Sequence, residues 1–490
     1  MRIHACRPLA MVVLLVALST IIAACAQPAP TPTQPPAPTK AVATSAPTVA
    51  PTAAPKPTAA PVALKMTCRC VEGGVNANLV KWFKTYLKPE FEKQAKAAGQ
   101  NITVDMVEFG GSDEELKQQY ALDLKVGKGA DVMAFDGFWV PEFVAGGMLK
   151  PLEEIGGADV KSWEGWSHIP AGLQQLLSYQ GKIYGIASGT DTRAIFYRKD
   201  LFEKAGIKTP WQPNSWQELL DTARTLKAKL PGVTPLQINA GTAMGEATTM
   251  QGWDMVLLGT GVGMYDFDAN KWIASAPGIE QALNFYKTVY VDEKLGDARI
   301  QLLKDGRNQS FAGFRDGKIA MLVEGDWFWR SVLGKGSEWE IPNRDEIVLW
   351  AKMPAVEKGK GYKGQDFVTI SGGTGFVLNP NTKYGKEAWQ FLAFMNSKEA
   401  LTAYQAIEPR TRIRDDVPIT NDPVLTAMGK ALMPLTTVRP MLPEYTKISE
   451  EAQRMTERVV SGEMTPAQAM KAYADAVKQI AGADKVIESK

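Results

Sequence analysis

GKIYGIASGTDTRAIFYRKDLFEKAGI, residues Gly181 to Ile207, sets two short strand-like runs on either side of a polar turn and follows them with a helix. Lys182 to Ala187 alternates around Gly185, Ser188-Gly189-Thr190-Asp191 has turn chemistry, and Ala194 to Tyr197 is β-branched and aromatic, as in a buried strand. Asp200 is placed to cap a short helix that Gly206 ends. Such a block belongs to an α/β protein.

Upstream, the pattern predicts a strand over Leu64 to Cys70, an amphipathic helix over Asn76 to Ala98 and a second strand over Ile102 to Phe109. A helix begins at Gly110-Gly111-Ser112-Asp113, and Ala130 to Phe135 forms a third strand. This βαβαβ order implies a mostly parallel sheet with helices on both faces. Ligands of such sheets bind beyond the carboxyl ends of the strands, here Cys70 to Gly74, Phe109 to Ser112 and Phe135 to Trp139.

With 490 residues, 45% of them apolar, the chain can bury ample core in two or more domain-sized units. The net charge is +2 with both signs interspersed, which gives no electrostatic footprint for nucleic acid. Arg2 and Arg7 precede an uncharged apolar stretch ending in Ile22-Ala23-Ala24-Cys25, a secretory pattern. That tetrapeptide resembles the bacterial lipobox, so residues 1–24 read as a lipoprotein signal peptide and Cys25 as the lipidated residue. An uncleaved membrane anchor is the alternative. Ala26 to Val62 holds eleven prolines in 37 residues. Residues 25–62 therefore form the lipidated cysteine and a Pro/Thr/Ala-rich spacer that cannot build a core.

Only His168, Cys68 and Cys70 of the two histidines and four cysteines lie in the globule. A His-rich zinc centre is thereby excluded, and a His-assisted nucleophile could use only His168. Within GWSHIP, His168 reads as structural. Cys68 and Cys70, at i and i+2 on a strand, would stand about 7 Å apart at Cα, marginal for a disulfide. The expectation is two buried free thiols, with a disulfide or a metal or redox role as alternatives.

Further motifs follow in order: the helix over Ser215 to Lys229, GKIAMLVEGDW over Gly317 to Trp327, SGGTGF over Ser371 to Phe376, EAWQFLAFMNS over Glu387 to Ser397, Arg439-Pro440, and SGEMTPAQA over Ser461 to Ala469. Together with the opening block, these resemble the family 1 extracellular solute-binding proteins of ABC transporters, the maltose-binding-protein type, from about Leu64 to the C-terminus. The resemblance implies a two-lobed α/β periplasmic-binding-protein fold of type II, its lobes joined by a three-crossing hinge. Lobe 1 would comprise 64–189 and 373–417, and lobe 2 would comprise 190–372 and 418–490.

A polyol needs flat apolar surface for its CH faces and planar hydrogen-bonding groups for its hydroxyls. Trp139 and Trp253 are aromatic candidates near strand ends or turns, and the resemblance puts Trp327 in the cleft as the stacking ring. A buried helix face is the alternative for Trp253, and a core or lobe-surface aromatic for Trp327. Asp191 stands where the family often places a ligand-binding carboxylate, or caps its turn. Asp136 ends the third strand, Glu72 follows the first, and Arg193 could make bidentate bonds or stand as an exposed strand arginine. Gly373 and Thr374, at an expected lobe crossing, would supply backbone donors and a hydroxyl; Tyr445 and Arg439 match a segment that lines the cleft. Cys68-Arg69-Cys70 departs from the family pattern, so no particular sugar is carried over.

The resulting expectation is a monomeric, lipid-anchored, extracytoplasmic binding protein with no cofactor and no metal. It would capture a carbohydrate by hinge closure and deliver it to the transmembrane subunits of an ABC permease. The alternatives are a surface glycoside hydrolase, whose paired carboxylates need no histidine, and a solute receptor feeding a sensor.

Overall fold

The computed structural model describes residues 60–489 apart from 412, 419 and 420. The segment read as a signal peptide, Cys25 and nearly all of the spacer lie outside the described residues. Among those described, no helix is long and apolar enough to cross a membrane.

The first strand starts earlier than expected, at Val62, because Val62 already pairs with Ile102. The last spacer residue is thus included in the sheet ladder. Val62–Arg69 runs parallel to both Ile102–Phe109 and Val132–Asp136, the predicted βαβαβ core. Two later strands complete this sheet in antiparallel sense: Gly373–Leu378 lies beside Val132–Asp136, and Gly185–Thr190 lies beside Gly373–Leu378.

A second sheet is ordered Val348–Ala351, Arg193–Arg198, Ile319–Gly325, Thr234–Gln237. Arg193–Arg198 is central and buried at all six positions, which is why the run is apolar and aromatic without a polar face. The chain therefore leaves one sheet at Thr190 and enters the other at Arg193. It returns between Phe367–Ser371, which pairs with Thr436–Val438, and Gly373–Leu378.

Three local expectations are corrected. Ser188, Gly189 and Thr190 are strand residues, because Thr190 pairs with Gly373 and Gly189 with Thr374 across a register shift; only Asp191 and Thr192 turn. Asp200 is not the helix cap. The Lys199–Lys204 helix has Arg198 at that position, and Asp200 instead takes a bidentate pair from the Arg198 guanidinium at 2.8 and 2.7 Å.

Cys68 and Cys70 form a disulfide, not free thiols. The strand ends at Arg69, and a backbone bond from Cys70 N–H to Cys68 C=O curls the chain, bringing the two Cα atoms to 5.3 Å. The flat-strand spacing does not apply at this last residue.

Helix starts follow side-chain chemistry. Ser112 and Glu115 form a reciprocal capping box at Asp113–Lys125. At Trp216–Lys229 the Ser215 hydroxyl does the same work, accepting from Glu218 N–H at 3.2 Å. Aromatic clusters fill each lobe, with Trp82 stacked on Tyr404 in the first and Phe196 against Phe328 in the second.

Candidate functional site

The site forms where the two sheets exchange the chain. Arg439 is buried and reaches into both lobes: one arm donates to Asp136 Oδ1 at 2.8 Å, the other to Glu246 Oε1 at 3.0 Å. Asp136 sits at the carboxyl end of its parallel strand, as the sheet rule requires. Glu246 is further held by Tyr445 Oη at 2.5 Å and Ser449 Oγ at 2.6 Å, both on the Tyr445–Val460 helix. The Arg439 guanidinium also lies over the Phe138 ring, 4.2 Å from its centroid.

A second group surrounds Asp191. Its carboxylate pairs with Arg193 and accepts Gly372 N–H at 2.9 Å. Arg193 also donates to Ile370 C=O at 2.8 Å and lies 4.9 Å from the Trp327 ring centroid. Asp326 accepts Thr192 N–H at 3.2 Å and pairs with Arg330, which in turn pairs with Glu408. Gly372 joins the two groups: a Cβ there would stand 3.1 Å from Arg439 Nη2 and 3.5 Å from both Arg193 Nη2 and Asp191 Oδ1. A side chain at 372 would occupy the space on which these polar groups converge.

Crowding of carboxylates in a desolvated place shows in their titration. Burial pushes the Asp136 carboxyl up from 3.8 to about 6; Arg439 opposes this, and Glu246, Asp113 and Asp191 add to it. Burial also carries Asp254 up to about 8, with Glu246 reinforcing it. Asp326 moves the same way, for the same first reason. Burial pushes Glu408 up as well, but Arg330 and Arg410 outweigh it and carry that carboxyl down.

The expected site residues separate into distinct placements. Asp136, Asp191, Arg193 and Tyr445 meet in the network above, and Tyr445 meets it through its hydroxyl, its ring being enclosed against Phe138. Trp327 is half-buried, its ring folded over Gly325 with Arg193 and Arg307 beside it. Trp139 is enclosed by Phe135, Phe138 and Tyr120, and Trp253 is 0% exposed beside Tyr286. Neither ring offers a free face, so both are core residues and not stacking platforms.

Glu72 is exposed and pairs with Lys84, away from Arg439. Gly373 is buried in its strand against Leu176, and the Thr374 side chain is exposed. His168 is bonded through Nδ1 to Asp415 at 2.9 Å, apart from the network.

Glu246, Arg330 and Glu408 join Asp326 in the network with little sequence signal to single them out. Glu246 follows Gly245 in a segment with no periodic pattern, and Arg330 and Glu408 look like ordinary surface charges. Only Asp326, within the GDW run, has a local motif to draw attention to it.

Two α/β lobes, a chain that passes between them, and a polar network at that passage define the two-lobed fold of periplasmic binding proteins. The family model for bacterial extracellular solute-binding proteins matches residues 76–402, and the chain belongs to that family. A putative binding protein of Brucella abortus is 26% identical over 402 residues, covering 79% of this chain and 90% of its own length. The galactooligosaccharide-binding protein of Bacillus subtilis is 24% identical over 401 residues, covering 79% and 84%. The crystal structure of an ABC transporter solute-binding protein from Thermotoga lettingae, bound with α-D-tagatose, aligns with TM-score 0.72 and 25% identity over 86% of this chain and 99% of that one.

Proposed function

We propose that this chain captures a neutral carbohydrate between its lobes and presents the closed form to the transmembrane subunits of an ABC permease. The observation that carries this reading is Arg439, buried between Asp136 of one lobe and Glu246 of the other. Planar donors and acceptors paired in this way can exchange bonds with hydroxyls, and their mutual neutralisation disfavours a strongly charged ligand. Trp327 supplies the partly open ring face for CH groups. Trp139, Trp253 and Gly373 contribute less directly, through the packing and backbone around that network.

In this reading lobe 1 comprises 64–189 and 373–417, lobe 2 comprises 190–372 and 418–490, and the three crossings form the hinge. The ligand stabilises the closed state by its differential affinity for it. Cys25 carries lipid, and the proline-rich spacer holds a monomeric globule at the outer face of the membrane. The protein binds its solute without turning it over.

A thermal-shift screen of the purified chain against neutral sugars tests the central claim, because a ligand that binds only the folded form raises its melting point. Stabilisation by at least one neutral carbohydrate, with no multiple-turnover cleavage of labelled oligosaccharides, is the expected outcome. Sustained cleavage would overturn it in favour of a glycoside hydrolase. Deleting the permease that takes the bound sugar from this chain should abolish its uptake; unaffected uptake would point to a sensor's receptor. Metabolic labelling with palmitate should mark the wild-type chain and not Cys25→Ser.

A further inference from the structure

The run Tyr265-Asp266-Phe267-Asp268 alternates rings with carboxylates. Tyr265–Asp266 pairs with Lys271–Ser275, and Asp266 Oδ1 closes the turn between them by accepting the Asp268 and Ala269 N–H groups, both at 2.9 Å. Together with Tyr362 and Val438, this hairpin lines a groove of about 560 Å³, a size suited to a small molecule. Tyr265 and Tyr362 are half-buried, while Phe267 and Val438 are 44% and 46% exposed, so apolar surface is left open to solvent here. We propose that this groove binds a small organic cation, a quaternary ammonium or a protonated amine, in addition to the solute taken at the polar network.

The face of an aromatic ring attracts a cation, and nearby carboxylates strengthen that attraction. Negative charge surrounds both phenol rings. Burial raises Tyr362, and the charges of Asp266 and Asp268 add to it; burial raises Tyr265, and Glu444 and Asp266 add to it. The chain's own Lys363 ammonium already stands 5.4 Å from the Tyr362 ring centroid. Three carboxylates around the rings still outnumber that ammonium. A cationic ligand offsets the excess, and a neutral polyol does not.

The same rings also line a narrower recess whose walls include Asp254 and Arg439. The Arg439 guanidinium is committed to Asp136 and Glu246. Asp254 is 5% exposed, and among the described residues no hydrogen bond or ion pair reaches its carboxyl. Burial holds that carboxyl up to about 8, so a cation entering the recess exchanges for its proton. A buried acid without a partner is costly, and the ligand's ammonium supplies one.

Titration calorimetry on the full chain, above pH 8 where Asp254 ionises, uses tetramethylammonium, choline and the neutral alcohol in which carbon replaces choline's nitrogen. The expected result is a Kd of about 1 mM or tighter for choline, with the neutral isostere at least about tenfold weaker. Tyr362→Leu should weaken choline at least about tenfold and Tyr362→Phe less than about threefold, while sugar binding stays unchanged in both. Equal affinity for the neutral isostere, or no binding of either cation, would overturn the proposal. Choline binding that survives Tyr362→Leu and is lost in Trp327→Ala would place the cation at the polar network and overturn it as well. The carbohydrate reading fails on a different result, the absence of response to any neutral sugar.

Discussion

Arg439 and Arg414 are both buried arginines held between two carboxylates, yet they belong to different kinds of place. Arg439 joins Asp136 to Glu246 across the two lobes. Arg414 joins Glu164 to Asp416 within one lobe, braced by Asn396 C=O at 3.1 Å and the Trp163 ring at 5.7 Å. One partner of each titrates in an opposite direction: desolvation raises Asp136 to about 6 against the pull of Arg439, whereas the Arg414 hydrogen bond lowers Asp416. The same ion-pair chemistry thus leaves a carboxylate nearer protonation at the junction of the lobes than within one of them.

Removing the two arginines should break the pairing most sharply. Arg439→Ala is expected to weaken solute binding by roughly 2–5 kcal/mol, on the order of a hundredfold in Kd, since it strands two carboxylates in the site. Arg414→Ala should instead cost about 2–4 kcal/mol of stability, while affinity measured well below the melting point stays within about threefold. Calorimetric unfolding and titration of both variants check this; a binding defect in Arg414→Ala would erase the contrast.

Next in size is pH dependence. Asp136 is raised from 3.8 to about 6, so the folded chain holds more protons than the unfolded one in that window. Its contribution to stability therefore falls as pH rises from about 4 to about 6, by on the order of 2–3 kcal/mol. Asp136→Asn should flatten that slope. Asp416 carries the opposite sign: its lowered pKa contributes stability above its usual 3.8 that is lost as pH falls through the folded value. Asp416→Asn should reduce acid sensitivity only at that lower end, as read from urea midpoints across pH.

Trp327→Ala removes the stacking face and should cost about 2 kcal/mol of binding, on the order of thirtyfold in Kd, with little change in melting point. The smallest effect is expected for Asp191→Ala, about 1–2 kcal/mol in binding. Unchanged affinity there would reduce the turn at Asp191 and Thr192 to a connector between sheets.

The strands are legible in the sequence because their information is local. Arg193–Arg198 declares a strand buried on both faces by its run of β-branched and aromatic residues, and Ser112 and Ser215 announce helix starts through hydroxyls that accept N–H groups three residues on. The turn before Arg193 is shorter than its composition suggests, because pairing between Gly185–Thr190 and Gly373–Leu378 overrides the turn preference of Ser188 and Gly189. Cys68 and Cys70 depart from expectation for a related reason: ideal strand spacing fails where the chain curls at its last residue.

Taken alone, the residues specify two α/β lobes, the point near Thr190 where the chain passes between them, and the family to which they belong. Periodicity, turn chemistry and ordered motifs depend on neighbours a few positions away, so they survive in one dimension. Which carboxylates meet which arginine does not survive there. Arg439 stands 303 positions from Asp136 and 193 from Glu246, and only packing of both lobes brings them to the same guanidinium. That packing also closes the faces of Trp139 and Trp253 and leaves Trp327 partly open, because ring exposure is decided by what the rest of the chain lays against it.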